Sequence, residues 1–487
     1  MSAAVKLPPK TGGGLAAGLS PHAPSILLPL RFMVTGLLAL AGVFVALVAR
    51  PELLATYHYN QYVVAVTHLM VLGWMSTLVM GAMYQLVPVA LETKLYSERL
   101  ARWQFAFHTV GFAGMVWMFW TWDLKQVGHF GSVLTVGVGL FVYNIARTLC
   151  RVPRWNVIAA AVASALGWLS LAVLAGLTLA AGKCTYESGS TLGPGSPFGP
   201  LVNGLKSLAG FTAHFDPISA MHAHAHLGGV GVFLILIVGI SFKLVPMFTL
   251  SEMQSPWRAR LSLLLLNVGL LGSFFAVLLR SWLKPVAAAF LLVGLGLYAC
   301  ELYAILRARK RRTMDWGVRY FLTALSLLAP VGALAAALSW PRLPLNLFTG
   351  QLENLYGFLA FVGVVSFAII GMLYKIIPFL VWYRAYSAQI GLRKVPSLAE
   401  LYSARVQQMG YWTYLGGLVT ASIGIVLSHS ALVRSGGALL LVSFLVLAVN
   451  LGRILRHLFQ PEFETTPEKP ALAPKRAHTT TQPALTR

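Results

Sequence analysis

Four histidines lie inside apolar segments of the chain, where an imidazole can do chemistry. His222, His224 and His226 form the run HAHAH, and His68 lies within a second apolar segment. On a helix, at about 100° per residue, His222 and His226 share one face while His224 points nearly opposite. Neutral imidazole is a common metal ligand, and an ionisable side chain inside a bilayer marks function. His68, His222, His224 and His226 are therefore candidate metal ligands; the alternative is that they are polar residues that hold helices together.

One motif recurs three times with steps of five, eight and seven residues. The copies are His68–Gly73–Gly81–Pro88, His226–Gly231–Gly239–Pro246 and Phe358–Gly363–Gly371–Pro378. Two copies thus place a histidine at one equivalent position, and the third has phenylalanine there. The first glycines, Gly73 and Gly231, remove side chains where a flat ring or another helix must approach closely, so cofactor binding and helix packing are equally compatible with them.

The composition predicts an all-α, polytopic membrane protein. The 487 residues are 57% hydrophobic and only 10% charged, with a mean hydropathy of +0.73, which excludes an ordinary soluble domain. No segment alternates like a strand of an outer-membrane barrel. We expect twelve transmembrane helices, at roughly 24–48, 57–88, 104–122, 128–149, 156–181, 217–246, 258–280, 285–306, 319–339, 350–382, 407–429 and 435–457.

These spans group into three pseudo-repeated units of four helices, with the motif on the second helix of each unit. The membrane domain covers residues 24–459. Residues 1–23 and 460–487 are rich in Pro, Gly, Thr and Lys and cannot bury a core, so we expect two disordered cytoplasmic tails.

The charge distribution predicts the orientation. The net charge is +23, and the 37 Lys and Arg residues divide 29 to 8 in favour of the side that holds both termini. This positive-inside pattern places both termini in the cytoplasm and the protein in a bacterial inner membrane. The basic loops, such as RARKRR, suit anionic membrane lipids, and no basic stretch is interleaved with stacking aromatics, so nucleic-acid binding is not expected.

The remaining histidines and the cysteines carry less information. His58, His129, His214 and His429 fall near the outer ends of their spans, where solvation explains them, and His108 lies deeper and is interpreted as structural. The three cysteines form no CxxC pair and no CxxCH attachment for a covalent haem.

The chain resembles subunit I of the haem–copper oxidases, and most closely its C-type branch. The tenth helix of that branch carries His-x-His-x4-Gly-x7-Gly-x6-Pro, which His224, His226, Gly231, Gly239 and Pro246 match position by position. The resemblance implies that His224 binds a high-spin haem, that His226 binds a low-spin haem, and that His68 is the second low-spin ligand. It further implies haem b, a copper ion as a second metal, cytochrome c or quinol as electron donor, and further subunits.

The pattern departs from that family at two points. The His-x-His pair lies in the sixth span, whereas the tenth span has Phe358. The adjacent histidine pair that holds copper on the seventh helix is absent, because residues 258–280 contain no histidine. We therefore expect a divergent member, in electron transfer or in oxygen or nitric-oxide handling, without ordinary oxygen reduction. The alternatives are a haem-free transporter or metal-handling permease, and a cofactor-less scaffold subunit.

The orientation predicts which cysteine is reached from outside the cell. Cys184 lies in the outer 182–216 loop, and Cys150 adjoins a basic inner loop. In intact spheroplasts, a membrane-impermeant thiol reagent should label Cys184 and leave Cys150 unlabelled, as read by mass spectrometry of the two peptides. The reverse labelling pattern would invert the topology and move the histidine layer to the cytoplasmic side.

Overall fold

The computed structural model describes residues 25–188, 204, 207, 210, 214–344 and 346–463. These residues are almost wholly helical, which confirms the predicted helical membrane bundle. The predicted tail 1–23, most of the predicted tail 460–487 and most of the outer loop, with the side chain of Cys184, lie outside the described residues.

Twelve long helices follow one another in the order that the three units predict. Unit 1 contains α1 (Leu27–Ala49), α2 (Gln61–Ala90), α3 (Glu98–Thr121) and α4 (Leu124–Leu149). Unit 2 contains α5 (Val157–Ser188), α6 (Pro217–Thr249), α7 (Pro256–Leu278) and α8 (Lys284–Arg307). Unit 3 contains α9 (Trp316–Leu338), α10 (Leu347–Gln389), α11 (Ala404–Val426) and α12 (Ser430–Arg456). Within the described ranges, ten of the twelve are long and apolar enough to cross a membrane; α3 and α11 are the other two, so the count of twelve membrane crossings stays a prediction.

The helices begin at residues that the sequence marks as caps. A side-chain oxygen at the first position accepts from the free backbone N–H groups of the first turn, which would otherwise lack partners. Such caps are Asn60, Ser97, Asp123, Asp216, Asp315, Asn346 and Ser403.

The units pack as a closed ring. Within each unit the first helix packs on the motif helix, and the third helix packs on the fourth. Between units, the fourth helix packs on the first helix of the next, so that α4 meets α5, α8 meets α9, and α12 returns to α1. Inside this ring the motif helix of unit 3 contacts the motif helices of units 1 and 2. The ring therefore brings the three motif helices, which are distant in sequence, into one centre.

A polar contact between the third and fourth helices repeats in each unit. Asn144 accepts from the backbone N–H of Ser97 at 3.0 Å, and Asn450 accepts from that of Ser403 at 3.0 Å. In unit 2 the equivalent residue is Glu301, which is fully buried and accepts from the Ser255 N–H at 2.8 Å. In each unit a side chain of the fourth helix thus accepts a hydrogen bond from a backbone N–H at the start of the third helix, which would otherwise lack a partner.

Glu301 also forms an ion pair with Arg258, at 2.8 Å between guanidinium and carboxylate. The carboxylate that the sequence places within a span thus has a structural role, because a buried charge needs such a partner.

The second motif glycine is where the first helix of the same unit approaches closely. A Cβ added at Gly239 would fall on the Cβ of Ala161 in α5, and one added at Gly81 would fall on Phe32 in α1. In bilayers, where apolar burial does not drive helix association, such close backbone packing does. These glycines therefore hold each motif helix against its own unit.

Each motif helix changes its winding directly after the motif position. The α-helical turns end at His68, His226 and Phe358, and eight-residue π-helical segments follow, at Leu69–Ser76, Leu227–Leu234 and Leu359–Ser366. The wider turn is rare in proteins and occurs mostly at functional sites. The sequence repeat is thus matched by a repeat in backbone geometry that the spacing alone does not predict.

The close packing at Gly239 predicts the effect of one methyl group. Gly239→Ala should lower the stability by about 1–3 kcal/mol, because the helices must separate, and this is read as a lower unfolding temperature in detergent. The control is Gly167→Ala in α5, where an added Cβ meets nothing within 4 Å and the better helix propensity should leave stability equal or higher. Equal effects of the two substitutions would show that the close approach does not matter.

Candidate functional site

His68 and His226 are held in the same way. The Nδ1 of His68 lies 2.7 Å from the carbonyl of Val64, and the Nδ1 of His226 lies 2.7 Å from the carbonyl of His222. A carbonyl can only accept, so Nδ1 carries the proton in both rings and Nε2 keeps its lone pair. A histidine oriented and polarised through its other ring nitrogen is the usual arrangement of a metal ligand.

The two rings face different neighbours. The ring of His68 lies against Phe119 of α3, with centroids 4.7 Å apart. The ring of His226 stacks on Tyr356 of α10, with centroids 6.1 Å apart and an angle of 24° between the planes. Tyr356 is two residues before the motif position of the third unit, which makes it the repeat equivalent of His224. Tyr356 is not among the sequence-predicted site residues, although that spacing singles it out.

His224 faces the opposite side of α6, as the helical spacing predicts. Its ring lies over Gly176 of α5, where an added Cβ would come within 3.0 Å of the His224 Cε1. Its Nδ1 is buried without a hydrogen-bond partner among the described residues. Leaving a buried polar atom unpaired costs free energy, so this nitrogen would gain from binding a ligand.

His222 lies one helical turn before His226, near the N-terminal end of α6. Its Nε2 lies 3.0 Å from the Nε2 of His58, and Glu353 of α10 completes the group. The helix that carries His222 begins at Asp216, whose carboxylate accepts from the backbone N–H of Ser219 at 2.9 Å. That hydrogen bond lowers the pKa of Asp216.

The other outer histidines fit the expectation of solvated residues, and His58 does not. His129 and His214 are exposed and hydrogen-bond locally, to Gln126 and to the Gly210 carbonyl, and His429 caps a helix. The interpretation of His58 as a merely solvated residue is wrong, because it lies against His222 and Glu353 from the other two units. The sequence carries no signal for this, since the three residues occupy different positions relative to the motif.

His108 is structural, as the sequence indicates. Its Nε2 lies 3.2 Å from the carbonyl of Leu72 and 2.9 Å from the hydroxyl of Thr77. It therefore supports the carbonyl at which the π-helical segment of α2 departs from regular winding.

The first motif glycines lie at helix contacts. An added Cβ would come within 2.8 Å of Ala39 at Gly73 and within 2.6 Å of Trp168 at Gly231. Both neighbours belong to the first helix of the same unit. For Gly73 and Gly231 these contacts support the helix-packing interpretation rather than contact with a cofactor.

The histidine set passes a chemical test for haem. His68 and His226 each carry the ring proton on Nδ1 and keep the lone pair of Nε2 for a metal. His224 has a buried Nδ1 without a hydrogen-bond partner among the described residues. His68, His226 and His224 are thus the residues that would hold iron or copper. A six-coordinate haem b uses two such imidazoles.

Comparison with known proteins gives a family match over part of the chain and a fold match over most of it. A family model described as cytochrome c and quinol oxidase polypeptide I matches residues 20–127, which contain His68. No curated protein matches the chain by sequence. The solved structure of a haem–copper terminal oxidase dimer matches it with a TM-score of 0.61 at 11% identity, over 90% of this chain and 85% of that chain.

At 11% identity the structural match establishes the fold, and the family model adds a sequence match over the first motif unit. Over residues 20–127 the chain thus matches the family model of cytochrome c and quinol oxidase polypeptide I, and over most of its length it has the fold of a haem–copper terminal oxidase.

Proposed function

We propose that this chain is a divergent, oxidase-like haem protein of the bacterial inner membrane that acts in electron transfer or in the handling of oxygen or nitric oxide. The observation that carries the proposal is that His68 and His226 have the same tautomer and the same hydrogen bond. Each donates Nδ1–H to the carbonyl four residues before it, and each precedes a π-helical segment. The exposed His214 makes the same bond to the Gly210 carbonyl, so the support comes from the combination of that bond with a following π-helical segment at two repeat-related positions.

His68 and His226 are the proposed axial ligands of one low-spin haem b. Bound haem would supply one-electron chemistry at a potential set by its ligands and its burial. The two residues come from adjacent units of the ring, and both keep Nε2 for the metal. The haem would be held without a covalent link, because the chain has no CxxCH sequence.

His224 is the proposed ligand of a second site, for haem or copper. The ring of His224 faces α5, away from His226 and Tyr356. Its Nδ1 has no hydrogen-bond partner among the described residues. One observation favours a different pairing, in which His224 is the partner of His68: the ring of His226 stacks on Tyr356 of unit 3.

The positive-inside distribution supports a periplasmic site for electron transfer. Both termini would be cytoplasmic, and the histidine layer would lie in the outer third of the bilayer. A periplasmic cytochrome c or a membrane quinol would then be the electron donor, and further subunits would dock on the bundle. The rival function, a haem-free transporter or metal-handling permease, places the same histidines along a path for copper or haem.

Haem content separates these functions. Protein purified from a haem-replete host should contain one or two non-covalent haems per chain by pyridine haemochrome, with Soret and α bands in the reduced-minus-oxidised spectrum. His68→Ala and His226→Ala should each abolish the low-spin signal, because a methyl group cannot ligate iron. The matched control is His129→Ala, at an exposed histidine outside the site, which should keep it.

His224→Ala decides the pairing. It should spare the low-spin signal if His226 is the partner of His68. Loss of that signal in His224→Ala, with its retention in His226→Ala, would assign the haem to His68 and His224. Stoichiometric absence of haem from the wild-type protein would refute the haem proposal and favour the permease.

Oxygen reduction should be slow or absent. The seventh helix carries no histidine pair for copper, so reduced cytochrome c or quinol should support little oxygen uptake in an oxygen-electrode assay. Turnover on the ordinary enzyme scale of ~10–1000 per second would contradict this expectation and would require copper ligands at other positions, of which His58, His214 and His222 are the first candidates.

A further inference from the structure

A group of metal-binding side chains lies at the outer end of the bundle, outside the proposed haem site. His58 lies in the segment before α2, His222 lies on the first turns of α6, and Glu353 lies on α10. Each residue therefore comes from a different unit of the ring. Within the described part of the chain, this is the group of three whose ligand atoms all lie within 4.8 Å of one another.

We propose that His58, His222 and Glu353 bind a divalent transition-metal ion of the zinc type, which links the three units at their outer end. The inference does not depend on the presence of haem. It rests on the geometry of the three side chains, on their donor chemistry and on the contacts that position them.

The distances suit a shared ion. The Nε2 atoms of His58 and His222 lie 3.0 Å apart, and the His58 Nε2 lies 3.9 Å from the Glu353 carboxylate. Ligands bound tetrahedrally at about 2.0–2.1 Å from zinc lie about 3.4 Å from one another. The observed separations lie on both sides of that value, so small side-chain adjustments bring all three atoms to one ion.

The donor set selects the class of metal. Two imidazoles and one carboxylate form a known three-residue zinc set, which leaves a fourth position for water. Calcium and magnesium prefer oxygen ligands throughout, so they are poor candidates. The side chains of His58 and Glu353 are only 15% and 31% exposed, and an ion that neutralises the carboxylate there offsets the cost of removing it from water.

Side-chain amides of α10 hold the segment that carries His58 against the helix that carries Glu353. Gln351 donates to the carbonyl of Ala55 at 2.9 Å, and Asn354 donates to the carbonyl of Thr56 at 2.7 Å. These two bonds attach the backbone just before His58 to the helix that carries Glu353. Supporting contacts of this kind orient the ligands of metal sites.

An alternative explains the group without a metal, as a hydrogen bond between the two histidines beside an ion pair. In that arrangement one imidazole donates to the other, and the carboxylate stays 3.9 Å from the nearest ring nitrogen. That contact is too long for a hydrogen bond, so the carboxylate gains little from it. Zinc binding distinguishes the two arrangements directly.

The test is equilibrium dialysis of the full-length protein, in detergent, against zinc or against calcium, with metal content read by mass spectrometry. The wild-type protein should bind one more zinc ion per chain than Glu353→Gln or His58→Ala, and zinc affinity in each variant should fall at least tenfold. His129→Ala, at an exposed outer histidine, should bind zinc as the wild type does. Calcium binding that Glu353→Gln abolishes, without zinc binding, would overturn the proposed metal class.

Thermal unfolding provides a second readout. Zinc should raise the unfolding temperature of the wild-type protein, because an ion that binds only the folded state stabilises it. The same zinc concentration should leave the near-isosteric Glu353→Gln variant unchanged. Should His58→Ala fail to fold, Glu353→Gln decides the outcome, and equal zinc content and equal zinc-induced shifts in Glu353→Gln and wild type would refute the site.

Discussion

The rest of the structure depends on the change of winding that follows the motif position in α2, α6 and α10. The histidines, and the outer cluster of His58, His222 and Glu353, lie at or before this position in the sequence. The glycines that pack against the first helix of each unit lie after it. At Thr77 and Ile235 the backbone N–H reaches back five residues, to Leu72 and Val230. The extra residue in a π-helical turn changes the angular register between the residues before the turn and those after it.

The wide turn has to be supported, because a backbone group that loses its regular partner inside a bilayer must find another. In unit 1 the Leu72 carbonyl accepts from the hydroxyl of Thr77 at 2.8 Å and faces the His108 ring. In unit 3 the hydroxyl of Ser366 bonds the Phe361 carbonyl at 2.8 Å and also accepts from the indole of Trp74 in unit 1 at 3.0 Å. The same hydroxyl thus stabilises the turn and joins two motif helices.

Much of the fold could be predicted from the sequence, because the features that specify it are local or periodic. Helix order, the caps and the grouping into units follow from apolar runs and from the recurring steps between His68 and Pro88 and their counterparts. The opposed directions of His224 and His226 follow from helical spacing alone. The close approach at Gly239 was also open to prediction, although the neighbour across it, Ala161, was not.

The outer cluster could not be predicted, for a physical reason. His58 lies ten residues before its motif position, His222 four and Glu353 five, so the repeat gives no sign that they meet. They meet because the ring closes, through contacts of α12 with α1 and of α10 with α2 and α6. Long-range packing of this kind is not encoded in any local pattern. The tautomers of His68 and His226 likewise depend on backbone carbonyls that only the folded helix places.

The outer cluster and the candidate haem ligand share one peptide group. The carbonyl of His222 accepts the Nδ1–H of His226, while the imidazole of His222 points to His58. A hydrogen bond to Nδ1–H orients the ring and raises the basicity of the other nitrogen, which is how outer contacts tune a metal ligand. In unit 1 the same bond ends on Val64, which has no side chain able to ligate a metal. His68 and His226 therefore have the same local geometry but different surroundings. Only His226 is linked, through the peptide group of His222, to the cluster at which the three units meet.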